Sequence, residues 1–185
     1  DTVGADATLR YRLSPDQSKV LYVEDQAVYL ASSSMDGHRF TNPEEIIASK
    51  GSLSLPQWSP DGSMIAWTQD GDIWAMTMGN RSIQKVMDQD NSGQEDAGRQ
   101  ALAGWASNEH LLLVSRDNED TRLVYFPEYV DTFVEPGESR RGLYTTTYSV
   151  MHLDSTSPKE LLSSQGWVRT QVSPTGSYLA LDAVD

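Results

Sequence analysis

Asp88, Asp90 and Ser92 stand at alternate positions, Gly93 follows them, and Asp96 lies three residues further on. Alternating oxygen donors ahead of a glycine are the arrangement that wraps a chain around calcium, the glycine permitting the sharp turn. The position where a closing bidentate glutamate is expected holds Arg99, whose charge repels the ion. The stretch therefore reads as a solvated acidic loop. A calcium site at Asp88, Asp90, Ser92 and Asp96 is the alternative, and no other cofactor is expected.

Nucleophilic chemistry finds no comparable pattern. The sequence contains no Gly-x-Ser-x-Gly elbow. His38, His110 and His152 fall in a loop, at a turn and in a strand, with no spacing that groups them or matches a two-histidine zinc motif. Glu44-Glu45 is a solvated run rather than an acid/base pair. The five tryptophans, Trp58, Trp67, Trp74, Trp105 and Trp167, admit a carbohydrate platform. Packing between structural units is the better account of residues that bury so much apolar area.

The elements that must position these residues follow from the whole chain. It has 185 residues, enough for one domain with a real core. Fourteen basic against 27 acidic residues give a net charge of −13, which disfavours nucleic acid and anionic membranes as partners. No apolar run approaches the length of a membrane span. There is no cysteine, so disulfide and thiol chemistry are excluded. The acidic, cysteine-free composition points to an extracytoplasmic setting, periplasmic or secreted.

One segment recurs. Trp58-Ser59-Pro60-Asp61-Gly62-Ser63-Met64-Ile65-Ala66-Trp67 reads as a strand end, a tight turn and a second strand. Leu13-Ser14-Pro15-Asp16-Gln17-Ser18-Lys19-Val20-Leu21 repeats it, with Gln17 in the place of Gly62. Trp105-Ala106-Ser107-Asn108-Glu109-His110-Leu111 is a degraded copy, and Val172-Ser173-Pro174-Thr175-Gly176-Ser177-Tyr178-Leu179 is a fourth. Ser14, Ser59, Ser107 and Ser173 stand 45, 48 and 66 residues apart. Between copies come a polar turn, a third strand (Ala27 to Ala31, Asp72 to Met78) and a short closing strand (Ile46-Ile47, Ile83 to Val86). Four short strands per unit of about 40–45 residues is the period of a propeller blade.

The pattern Ser-Pro-Asp-Gly, apolar strand, Asp-Gly turn and Ile-Trp-x-Met strand resembles the WD-like β-propeller repeat of TolB-type proteins. Trp58 to Val86 carries it most fully. Similar repeats form the N-terminal propellers of prolyl-oligopeptidase and dipeptidyl-peptidase IV relatives, where the peptidase centre lies on a separate domain. The resemblance implies an all-β fold of four-stranded antiparallel blades. The expected units are 8–50, 51–88, 100–163 with an insertion at 117–147, and an incomplete 164–185. That makes about three and a half blades, a partial propeller that another chain or further blades would complete.

In a four-stranded meander the second-to-third turn lies at the same end as the connection to the next unit. The insertion and the 88–99 loop therefore project from one face, and variable loops on a rigid scaffold are where function is most often carried. The expected function is non-enzymatic binding of a protein or peptide at that face, through Tyr125, Phe126, Tyr129, Phe133, Arg140 and Arg141. A salt bridge from Arg140-Arg141 to Glu135 or Glu138 is the local alternative for the arginine pair. Two other readings stand beside it: the propeller of a peptidase whose catalytic domain lies elsewhere, and the sensor domain of a membrane-anchored regulator.

Overall fold

The computed structural model describes residues 2–4, 10–34, 39–89, 99–117, 145–165, 167–172 and 179–184. All regular elements among them are strands, paired antiparallel in four separate sheets. The first holds β1 (Thr2–Gly4), β2 (Tyr11–Leu13), β3 (Lys19–Glu24), β4 (Ala27–Ser33) and β5 (Arg39–Ala48) in the order β1-β5-β4-β3-β2. The second runs β6 (Gln57–Trp58), β7 (Met64–Gln69), β8 (Asp72–Thr77), β9 (Ile83–Met87). The third runs β10 (Gln100–Trp105), β11 (His110–Asp117), β12 (Thr145–His152), β13 (Lys159–Gln165). A final hairpin pairs β14 (Trp167–Val172) with β15 (Leu179–Val184). These are the meandering blades that the repeats predict.

The first blade exceeds the expected four strands by one. Thr2–Gly4 pairs with Arg39–Thr41 on the outer edge of β5, taking up backbone groups that an edge strand otherwise leaves to solvent. In the third blade the β11–β12 ladder continues to Asp117↔Thr145. Residues 145–147, placed in the insertion by sequence, thus belong to β12.

The recurring Ser-Pro-Asp motif builds the same turn twice. In the second blade Met64 N–H donates to Ser59 Oγ (2.9 Å), which donates to Asp61 Oδ1 (2.7 Å). Asp61 also accepts from Ser63 N–H and Ser63 Oγ. In the first blade Lys19 N–H, Ser14, Asp16 and Ser18 repeat the network. Ser14 and Ser59 are buried, so both hydroxyls are satisfied inside the turn. The fourth residue of each turn has positive φ, 61° at Gln17 and 72° at Gly62.

Strand alternation divides the core into walls. Leu21, Val28, Leu30 and Ile47 of the first blade pack on Ile65, Trp67 and Met76 of the second. The other face of the second blade, Ala66, Ile73, Ala75 and Val86, packs on Trp105, Leu111, Leu113 and Met151 of the third. Each large side chain fully buried this way contributes about 1.5–3 kcal/mol. Two further clusters among the described residues are Val20, Tyr22, Ala31 and Phe40 in the first blade, and Leu112 with Tyr148 in the third.

The tryptophan before each turn ties its blade to the preceding one. Trp58 donates its indole N–H to Arg12 O (3.2 Å), and Trp105 donates to Gln57 O (2.9 Å). Turns also touch turns. Asp61 N–H donates to Asn108 Oδ1 (3.1 Å), and a Cβ on Gly62 would lie 3.3 Å from Pro15 Cδ.

Candidate binding face

The end of the blades opposite the Ser-Pro-Asp turns is built by the second-to-third turns and the blade-to-blade connections. Asp25-Gln26 and Asp70-Gly71 close two-residue hairpins, with φ of 47°, 63°, 54° and 93° in that order. Two consecutive left-handed residues match the twist of the strands they join. Each turn then receives the chain arriving at the next blade or leaving its own. Ser49 N–H donates to Gln26 O (3.0 Å). Ser52 N–H donates to Asp70 Oδ1 (2.8 Å), and Asp70 N–H donates back to Ser52 O (3.0 Å). The carboxylate lies so close that a Cβ on Gly51 would sit 1.9 Å from Asp70 Oδ1, so a side chain there would displace the carboxylate from Ser52.

The second connection is fastened more heavily. Lys85 Nζ bonds Asp72 (2.8 Å) and Asp88 (3.2 Å) and lies 5.1 Å from the centre of the Trp74 ring. Gln89 N–H donates to Asp72 Oδ1 (2.8 Å). The Gln89 amide then donates to Gly71 O and Gln100 O and accepts from Gln100 N–H (2.9 Å). Partial burial pushes the Asp72 carboxyl up, but the Lys85 bond and the Gln89 N–H outweigh it and hold the carboxyl below its ordinary value. The Asp72 bond raises Lys85 in turn.

These contacts place both variable segments on one base. Gln89 and Gln100 bracket residues 90–99 and are bonded to each other. Gln100 lies opposite Ser115 on β11, two residues before the rung Asp117↔Thr145 from which residues 118–144 depart. The two segments leave the same blade from adjacent strands, at the same end, as strand parity requires.

Of the residues singled out by sequence, Asp88 is in place at this end. Its side chain is 77% exposed and bonded to Lys85. Asp90, Ser92 and Asp96 lie outside the described residues, as do Tyr125, Phe126, Tyr129, Phe133, Arg140 and Arg141. Among the described residues no three metal-ligating side chains come together. Trp67 and Trp105 are 1% and 4% exposed and sit in the inter-blade walls, with Trp58 and Trp74 packed beside Trp67. The carbohydrate platform is thereby set aside for Trp67 and Trp105.

Sequence reading missed two features. Gln89 is one more polar residue in a polar run, and nothing in its neighbours marks it as the staple. His110 and His152, which no spacing groups, face each other across β11 and β12 with ring centroids 4.9 Å apart. Their pairing depends on a register that bridges the whole insertion.

No family model and no curated protein matches the chain. Solved structures do. A TolB from Agrobacterium tumefaciens superposes with a TM-score of 0.53 at 19% identity, over 97% of this chain and 61% of that one. TolB from Acinetobacter baumannii gives 0.55 at 19%, over 98% and 37%. Porphyromonas gingivalis dipeptidyl peptidase 4 gives 0.56 at 15%, over 96% and 29%. The chain thus spans less than two thirds of each of these proteins. At such identities the likeness speaks to fold alone. On the repeats, the blade topology and these likenesses together, the chain has the fold of a TolB-type, WD-like β-propeller, of which it holds about three and a half blades.

Proposed function

We propose that this chain is a non-enzymatic propeller scaffold that binds a protein or peptide at the face carrying residues 88–99 and 118–144. The observation that supports it most is the shared base: Gln100 opposite Ser115, with Gln89 stapling one segment and the Asp117↔Thr145 rung closing the other. Fixing the described ends of two neighbouring segments lowers the ordering cost of binding. Tyr125, Phe126, Tyr129, Phe133, Arg140 and Arg141 are the contact residues of this reading, being the aromatic and arginine types that dominate interfaces. Further blades or another chain complete the ring of which this chain holds about three and a half blades. The setting is extracytoplasmic.

The test is an exchange of residues 118–144 for a two-residue Asp-Gly turn, copied from Asp70-Gly71. The variant is expected to keep its melting transition and to lose the partner that the unaltered protein retains. Undiminished binding of that partner refutes the reading.

The likeness to dipeptidyl peptidase 4 supports a second reading, in which the same face of the propeller orients peptide substrate for a hydrolase domain of the same protein. A Gly-x-Ser-x-Gly elbow in the gene beyond the codon for Asp185 decides for it.

A further inference from the structure

We propose that His152 is a proton-operated catch at the end of the third blade opposite the binding face, holding the turn after β12 only while its ring is neutral. His152 Nδ1 accepts the N–H of Asp154 at 3.1 Å. A ring nitrogen that accepts has no proton, so the neutral ring carries its proton on Nε2. Nε2 faces Glu109 Oε2 at 3.7 Å. The same turn is closed by Ser155 N–H donating to His152 O (2.9 Å).

The neighbouring rung fixes the ring's surroundings. Leu153 N–H donates to Glu109 O (3.0 Å), which makes His110 and His152 the next, non-hydrogen-bonded pair, where side chains stand closest. Their rings meet edge to face, and His110 Nδ1 is held by Ser107 Oγ at 2.9 Å. Among the described residues, the charged groups within ion-pair range of His152 are Glu109 on the β10–β11 turn and Asp154 on its own turn, the latter with Oδ2 4.0 Å from Nδ1.

Adding a proton to Nδ1 turns the acceptor into a donor that faces the Asp154 N–H, another donor. The bond breaks. The cationic ring instead draws the Asp154 and Glu109 carboxylates, so charge contacts replace the backbone bond.

The experiment measures exchange of the Asp154 amide in the full-length protein at pH 7.5 and 5.0, corrected for intrinsic rate, beside the imidazole nitrogen shifts. The expected result is about fivefold weaker protection at pH 5.0, as loss of one hydrogen bond implies, with the Nε2–H tautomer at pH 7.5. His152→Asn, whose side-chain oxygen can accept the same N–H without titrating, is expected to show equal protection at both values. Equal protection in the unaltered protein, an Nδ1–H tautomer at pH 7.5, or a pH dependence that survives in His152→Asn overturns the proposal. The tautomer measurement stands even where the variant fails to fold.

Discussion

Gln89 and Gln100 are joined by two hydrogen bonds, the amide of Gln89 donating to Gln100 O and accepting from Gln100 N–H. The side chain thereby closes the base of the segment between them and, with its amide on Gly71 O and its backbone N–H on Asp72, Gln89 fixes that base to the turn of the preceding blade. The relationship turns an acidic connection into a segment presented from a defined platform.

Gln89→Ala removes that platform. It leaves the part-buried Gln100 N–H without its acceptor, and an unmet buried donor costs about 1–3 kcal/mol. Urea denaturation is expected to show a midpoint lowered accordingly with an unchanged slope. Gln89→Glu should fall short of full rescue, because a carboxylate can accept from Gln100 N–H but cannot donate to Gly71 O or Gln100 O.

Gln17 occupies the left-handed position that Gly62 fills in the next blade. A side chain there carries a steric penalty, partly offset by the greater flexibility of glycine in the unfolded chain. Gln17→Gly is expected to stabilise the protein by about 0.5–1 kcal/mol. Gly62→Gln is expected to destabilise it, the more so because its Cβ meets Pro15. Thermal melts of the pair check the sign.

Acid should loosen the Ser-Pro-Asp turns. Hydrogen bonds from Ser14 and then from Ser18 lower Asp16 from 3.8 to about 2. A carboxyl depressed in the fold adds stability that is present above its unfolded pKa and is lost as pH falls through the folded one. The loss is expected between about pH 4 and about pH 2. Asp61 is lowered too: its partial burial raises it, but bonds from Ser63 and Ser59 prevail. Urea midpoints at pH 5, 3.5 and 2.5 are expected to fall less steeply for Asp16→Asn than for the unaltered protein.

Calcium is expected to leave the protein unchanged. Asp88 already bonds Lys85, and Arg99 stands where a closing carboxylate is expected. Calorimetric titration to millimolar calcium should give no saturable heat and no rise in melting temperature. A saturable signal that Asp88→Asn abolishes would contradict this.

The blades were legible because their signals are local and repeated. Ser59, Asp61 and Ser63 make their turn with side chains inside one hexapeptide, and Ser14, Asp16 and Ser18 repeat it. Trp58 and Trp105 mark equivalent places because each must reach the preceding blade. What escaped depends on distant register. Thr2–Gly4 is too short to show a strand pattern, and its place on β5 comes from an open edge. His110 and His152 meet only because β11 and β12 align across the insertion. Strand parity predicted the face, whereas the staple at Gln89 is chemistry that any glutamine in a polar run can offer.

On the proposed function, one end of the blades binds and the other does not. The direct measurement is site-specific photo-cross-linking in the native cell, comparing probes at Glu24, Lys50 and Asp88 with probes at Gln17, Glu109 and Asp154. All six positions are exposed, and the two sets lie at opposite ends of the strands. Adducts to a discrete protein or peptide are expected from the first set and none from the second. Adducts concentrated on Gln17, Glu109 and Asp154, or the same adducts from both sets, would contradict the proposed function.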